Sequence, residues 1–515
     1  MYIQPNSTIK LYKNVPLDTT YEHTLWFDNV SAQNNYFHNN SSILLQTFDG
    51  QTYQRVVKGE MTLGVNAESI YTCNYLAFRN TAFGSKWFYA FVTSVEYVSN
   101  TASKLTFEID VMQTYLFDVT LKESFVEREH STTDNAGDNI LPENVDCGEY
   151  VFEGYGAALN VIGNDTVIIV SYVDSSSHGT LIDGVYSGVK KRAFNCNNTG
   201  IDNLNTFLDT FLETPDNIVS MYMCPKTIVP TASDEGTTLS YGSSGITTRI
   251  DLGAMDDSAT FGSYTPKNKK MYTYPFNYVT IDNANGNTLQ LRYEFFNDSH
   301  VTLSFESCIA EPVQIVCRPY GYKGTSSGGG ISEPQTLNTE SISLQSFPEC
   351  SWNNDTFKAW LAQNTIPIGL NTLGMLTSQG LTPTTMNTSG VFNLMTSAYT
   401  ASIATDVVRG SYQTGNANFG NNKQRFYGAR TRITENYARS IDAFFSKYGY
   451  ATRKLKVPNR NARKQWTYCK TNGCIVIGNA PADDVRRICE IYDKGITFWK
   501  NASNVGNYEL DNSPI

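Results

Sequence analysis

The sequence predicts a mainly β protein that ends in a small α+β module, and three observations carry that expectation. Only 17% of the residues are charged while 40% are hydrophobic and 13% aromatic, a balance that suits pleated, half-buried surfaces better than helices. Short β-branched and aromatic runs bounded by Asn, Asp or Gly recur as far as Glu349. The character of the chain then changes towards the C-terminus, where two amphipathic helical stripes alternate with short apolar runs.

A chain of 515 residues has room for a large buried core and for more than one domain. Its composition divides it into a β-rich region at 1–150, a second β-rich region at 151–358, an apolar segment at 359–425 that is uncharged as far as Thr405, and an α+β module at 426–515. The net charge of -10 argues against a dedicated nucleic-acid binder, because affinity for phosphate comes mainly from Lys and Arg. The first residues, MYIQPNSTIKLYKNVPLD, lack the basic stretch and apolar run of a secretory signal. The N-x-S/T triplets at Asn6, Asn29 and Asn40 therefore read as chance matches in an Asn-rich chain.

KWFYAFVTSVEYV, SNTAS and KLTFEIDVMQTYLF read as two long strands joined by a short polar turn. In the second, Leu105, Phe107, Ile109 and Val111 fall on one face and Thr106, Glu108 and Asp110 on the other. Glu108 and Asp110 have the spacing of a solvent or partner face, which explains them without a catalytic pair. TVIIVSYV, TLQLRYEFF, HVTLSFES and PVQIVCRPY supply further short strands. GYKGTSSGGGISEP, from Gly321 to Pro334, reads as a loop or hinge; it lacks the Lys-Ser/Thr ending of a phosphate-cradling loop. GYGAALN at Gly154 lacks the third glycine of a dinucleotide fingerprint, so no nucleotide cofactor is expected.

Near the C-terminus, ARSIDAFFSKYGY carries Ile441, Phe444, Phe445 and Tyr448 at helical spacing, with Gly449 placed to end the helix. APADDVRRICEIYDKG repeats the design: Pro481, Asp483 and Asp484 suit a first turn, Val485, Ile488, Ile491 and Tyr492 form a buried stripe, and Gly495 follows. QWTYCKT, CIVIG and GITFW complete the module as strands. The cluster Arg453, Lys454, Lys456, Arg460, Arg463 and Lys464 reads as a cation-rich linker pairing with acids of a neighbouring subunit, or as a patch that meets phosphate or a membrane surface.

Candidate chemistry is sparse. Ten cysteines contain no C-x-x-C pair, and Cys469 and Cys474 have no second pair or His nearby to complete a zinc site, so free buried thiols are expected and no metal. His23, His38, His130, His178 and His300 form no H-E-x-x-H motif, and no G-x-S-x-G is present. No catalytic residue is expected.

The feature that does ask for a function is the run from Ala359 to Thr405, which contains no Asp, Glu, Lys, Arg or His. Pro367, Pro383, several glycines and many Thr, Ser and Asn separate it from an ordinary transmembrane span. Its apolar content, carried by Ile366, Ile368, Leu370, Leu373, Met375, Leu376, Leu381, Met386, Val391, Phe392, Leu394, Met395, Tyr399 and Ile403, separates it from a plain flexible linker. A helix from Thr384 to Val408 would be about 37 Å long, enough for a hydrocarbon core of about 30 Å. Uncharged polar groups cost far less in lipid than charges do, so the segment suits something kept from water until it meets a membrane.

NTAFGSKWFYAFVTSVEY, KLTFEIDVMQTYLFDVTLKESFVEREH, FFSKYGY, KVPNRNARKQWTY, GITFW and VGNY, in that order, together with IKLYKNVPLDTTYEHTLWF near the start, resemble the distal tail (tail knob or distal tube) proteins of small Picovirinae-type podoviruses that infect Gram-positive bacteria. The resemblance runs from about Ile9 to Tyr508, strongest at both ends and loose from Gly154 to Glu349. It implies a homo-oligomer, a hexamer, forming a hollow β-rich cylinder at the far end of the tail, with residues 1–150 building the tube. The implied partners are a more proximal tail or lower collar protein, a tail-tip cell-wall-degrading protein, viral double-stranded DNA in transit and the host membrane. In that family long hydrophobic loops plug the tube and later meet the membrane; the run from Ala359 to Thr405 lies at the corresponding place but is shorter. The acidic balance fits a lumen that repels phosphates as DNA slides past. A receptor-binding adhesin and a virion-associated cell-wall hydrolase are the alternatives.

Overall fold

The structure, a computed structural model, describes residues 6–515 except 52–58, 82–83, 155–164, 174–180, 183–184, 187–188, 212–216, 240–246, 284–285, 297–299, 310–312, 324–339, 346–348, 353–409 and 414–425. The chain forms two compact units, both mainly β. The first joins Met1–Gly148, Ser258–Met271 and Thr434–Ile515; the second joins Glu149–Asp257 and Tyr272–Ile433.

Among the described residues of the first unit, one sheet has six antiparallel strands in the order Leu44–Gln51, Ser7–Lys13, Cys73–Asn80, Phe88–Ser99, Ala102–Ile109 and Glu60–Leu63. Alternation along its central strands feeds two cores. Leu11, Leu76 and Ala90 enter one, while their neighbours Tyr12, Tyr75, Tyr89 and Phe91 enter an aromatic core on the other side. A second sheet orders His23–Leu25, Ile496–Trp499, Trp466–Asn472, Ser124–Glu129 and Tyr450–Lys456, its first pair parallel and the rest antiparallel. Trp466 and Trp499 are fully buried against each other within it, ring centroids 5.0 Å apart.

The two expected C-terminal helices form at Glu435–Tyr448 and Ala482–Lys494. Ile441 and Phe445 are buried on the first, Ile488, Ile491 and Tyr492 on the second. Gly449 ends the first at φ +65°; a Cβ there would lie 2.2 Å from the Glu129 carbonyl oxygen, so the position tolerates only glycine. Asp442 on the same helix is fully buried. It accepts from the Tyr264 hydroxyl at 2.6 Å, the Lys267 N–H at 2.8 Å and the Asn268 N–H at 3.0 Å. Those bonds tie residues from the middle of the sequence into the first unit.

Two expectations are corrected here. The strand that begins at Ala102 ends at Ile109, and Val111–Thr114 forms a helical turn, so Val111 does not continue the strand face and Asp110 is not on a solvent face. Asp110 is buried, with Oδ1 accepting from the N–H groups of Met112 and Gln113 and Oδ2 from the Tyr75 hydroxyl at 2.8 Å. A carboxylate that can cap a turn stops a strand whose apolar alternation would otherwise carry on. The basic cluster is not a linker either. Tyr450–Lys456 is a strand, Lys456 pairs with Glu129, and the buried Arg463 faces Asp134, all inside one unit.

Burial lifts the Asp110 carboxyl to about 6, against three hydrogen bonds that favour the ionised form. A carboxyl raised above its unfolded value binds a proton in the native state first, so its contribution to stability grows as pH falls from 6 towards 4 and is lost as pH rises. Relative to Asp110→Asn, the wild type is expected to gain on the order of 2–3 kcal/mol over that interval, read by urea unfolding at several pH values. Parallel pH profiles for the two proteins would remove Asp110 as a titrating group.

Among the described residues of the second unit, a four-stranded sheet orders Tyr150–Gly154, Tyr427–Ile433, Asn277–Asp282 and Thr288–Leu291. The expected strand TLQLRYEFF thus stops at Leu291 and passes into a short 3-10 turn at Tyr293–Phe295. Another four-stranded sheet orders Thr247–Ala254, His300–Cys308, Gln314–Tyr320 and Ile342–Gln345. A six-stranded sheet orders Thr237–Thr238, Lys190–Asn195, Thr166–Tyr172, Ile218–Pro225, Glu349–Trp352 and Gly410–Gln413. One apolar cluster, containing Val167, Ile169, Tyr222, Val279, Leu303 and Ile315, draws on all three.

Candidate functional site: the stem of the uncharged segment

The expected site residues, from Ile366 to Ile403, lie outside the described residues, as do residues 414–425 and most of the Gly321–Pro334 stretch. What the structure shows is how the chain enters and leaves them. Glu349–Trp352 and Gly410–Gln413 pair as antiparallel strands with Glu349 opposite Gln413, Cys350 opposite Tyr412, Ser351 opposite Ser411 and Trp352 opposite Gly410. Facing Cα atoms in such a ladder are about 4.5–5.5 Å apart, so Trp352 and Gly410, the described residues on either side of 353–409, are neighbours.

The stem is seated on a well-buried support. Glu349–Trp352 pairs with Ile218–Pro225, Ser220 facing Ser351 and Tyr222 facing Glu349. The next strand inward, Thr166–Tyr172, has consecutive residues Val167, Ile168, Ile169 and Val170 all buried, the mark of a strand covered on both faces. Tyr222 is buried and donates its hydroxyl to the Ile309 carbonyl at 2.6 Å. Lys191, also buried, donates to Ser171 Oγ at 2.9 Å and lies 4.9 Å from the Tyr222 ring centroid. The two stem strands are short and lack a hydrophobic run, which is why periodicity does not reveal them. Their signal is indirect: they flank the charge-free run on either side.

The titratable groups weighed for catalysis have packing roles. His38 stacks on Trp87 at 4.1 Å between ring centroids and is hydrogen-bonded to the Tyr12 and Tyr89 hydroxyls; burial, then Lys10 and Arg79, lower it to about 3. His23 packs edge-on against Trp499, and the exposed His300 bonds Asp251. His178 lies outside the described residues. Glu108 pairs with Arg487. The thiols of Cys73, Cys196, Cys224, Cys317 and Cys469 are free and buried, and burial pushes each upward. Among the described residues, no helix is long and apolar enough to cross a membrane.

Residues 5–120 match the family model described as "Caudoviral major tail protein N-terminus", and residues 247–418 and 410–513 match that of the "Bacillus phage phi29, Tail knob protein gp9, C-terminal domain". Over 98% of both chains, the sequence is 25% identical to tail knob protein gp9 of Bacillus phage phi29 and 24% identical to that of Bacillus phage B103. The solved tail knob protein gp12 of bacteriophage C1 shares the fold, with a TM-score of 0.62 and 15% identity over 99% of this chain and all of that one. A β-rich chain matched along both halves in this way is a structural component of a phage tail. It belongs to the tail knob family defined by the C-terminal domain of the phi29 protein, whose two matches together span more than half of its length.

Proposed function

We propose that the chain assembles, as a hexamer, into a tube at the distal end of the virion tail, made in the host cytoplasm and mounted on a more proximal tail or lower collar protein. Double-stranded DNA leaves through it without sequence-specific contact. Before infection the uncharged segments close the passage, and afterwards they engage the host membrane. Tail knob membership supports the placement. The observation that supports the role of the segment is the ladder from Glu349–Trp352 to Gly410–Gln413, which brackets the charge-free run between two paired strands on a buried support; we read the run as a loop held there. Such a loop can pack in a dry plug or enter lipid without burying a charge.

The stem also makes the test clean. Replacing residues 353–409 by an Asn-Gly turn joins strands that already face each other, and each halving of a loop lowers its closure cost by about 0.6 kcal/mol, so the fold should survive. Purified assemblies of wild type are expected to release dye from anionic liposomes, and assemblies of the loopless variant are expected not to. Equal release by both would assign membrane activity elsewhere, and silence from both, with full infectivity of loopless virions, would leave the segment as filler.

A further inference from the structure

The second unit carries a cleft of about 400 Å³ beside the strand Thr288–Leu291, large enough for a small organic molecule. Arg292, the residue after that strand, forms part of its wall. The guanidinium carbon lies 3.9 Å from the centroid of the Tyr274 ring and 5.3 Å from that of Phe295, both of which also line the cleft. A guanidinium laid over a ring face keeps its N–H donors in its own plane, where the ring takes none of them. Among the described residues those donors have no hydrogen bond or ion pair, and none of them is a buried atom. Glu294, two residues on, gives its carboxylate to backbone N–H groups, its own and that of Tyr274. A second cation of the lining, Lys323, lies 5.4 Å from the Phe295 and Tyr322 centroids and pairs with Glu340. Gln290 faces the cleft from an exposed position, while Leu289 and Leu291 on either side of it turn into the core. The cleft therefore offers a planar cation held ready for two oxygens of one anion, an amide and a carboxylate suited to hydroxyl groups, and aromatic rings for C–H groups.

We propose that this cleft binds a phosphorylated sugar or polyol, its phosphate held by the Arg292 guanidinium with Lys323 adding positive charge, and its hydroxyls by Gln290 and Glu340. The site uses side chains that take no part in the stem, so it is independent of the reading of the uncharged segment. The full-length protein is titrated calorimetrically with glycerol 3-phosphate and glucose 1-phosphate, and in parallel with inorganic phosphate and glucose, at constant ionic strength set by chloride. At least one of the two phosphorylated compounds is expected to bind saturably, several-fold more tightly than inorganic phosphate or glucose. Arg292→Gln, which removes the charge and the paired donors, weakens that binding by about tenfold or more, and Gln290→Ala weakens it by a smaller factor. Because Gln290 is exposed, its variant keeps the fold, and circular dichroism checks that Arg292→Gln does so too. Inorganic phosphate bound as tightly as the phosphorylated compounds, no saturable binding of either compound, or binding that either variant leaves unchanged overturns the proposal.

Discussion

Replacing Glu143 with glutamine is expected to cost the first unit roughly 3–5 kcal/mol, the usual result of removing one partner from a buried ion cluster. The Glu143 and Lys270 side chains are 0% and 1% exposed. Glu143 Oε1 accepts from Lys270 Nζ at 2.6 Å and from the Ala451 N–H at 2.9 Å, and Oε2 meets Arg128. Burial alone would raise the Glu143 carboxyl, but Lys270, the Ala451 N–H and Arg128 outweigh it and hold it below the usual carboxylate range. Burial lowers the Lys270 ammonium despite Glu143 beside it. Without the carboxylate, Lys270 still reaches the Leu141 carbonyl at 2.8 Å and the Phe445 and Tyr450 rings, but its buried ammonium has lost the anion at 2.6 Å that offsets its desolvation. Four of the six tryptophans, Trp26, Trp87, Trp466 and Trp499, lie in this unit, so tryptophan fluorescence in urea reports the loss. The double variant Glu143→Leu, Lys270→Met should recover part of it, because it removes the desolvation cost of both charges while Arg128 and the Ala451 N–H still lose an acceptor. A Glu143→Gln protein as stable as wild type would show that the cluster contributes nothing net.

Acidification supplies the second large effect. His130 is fully buried, and burial first, then Arg463 and Arg128, depress it to about 3 in spite of the Ser446 carbonyl that favours its charged form. A proton on Nδ1 would confront the Tyr468 N–H that now donates to it. A histidine depressed below its unfolded value contributes stability that is complete above pH 6.5 and is lost as pH falls towards 3. Between pH 6.5 and 5 the loss from His130 is roughly 2 kcal/mol. Asp110 acts with the opposite sign over much of that interval, so the comparison is made against His130→Gln, whose amide can both accept from Tyr468 and donate to Ser446 without titrating. The glutamine variant should start less stable at neutral pH and fall less steeply on acidification. Equal slopes would mean that His130 stays neutral throughout or titrates without consequence.

The sequence by itself determined the mainly β character, the Leu105/Phe107 face, the helices ending at Gly449 and Gly495, the free thiols and the tail-knob kinship. Each of these is written in neighbouring residues: alternation of period two, stripes of period 3.6, a glycine after the last helical turn. Tertiary structure decided which distant segments satisfy one another. Asp110 looks like the next solvent-facing member of its strand until Tyr75 and the following turn claim it. Asp442 looks like an exposed helix carboxylate until Tyr264, Lys267 and Asn268, well over a hundred residues earlier, surround it. Arg463 belongs to a basic run in the sequence and is buried against Asp134 in the fold. The strands Glu349–Trp352 and Gly410–Gln413 show no period of their own, and only the pairing of the first on Ile218–Pro225 and of the second on the first makes them a stem. A backbone period is a property of adjacent residues and survives in a string of letters. The burial of a charge is fixed by hydrogen-bond partners that the chain brings back from far away, and no local pattern records them.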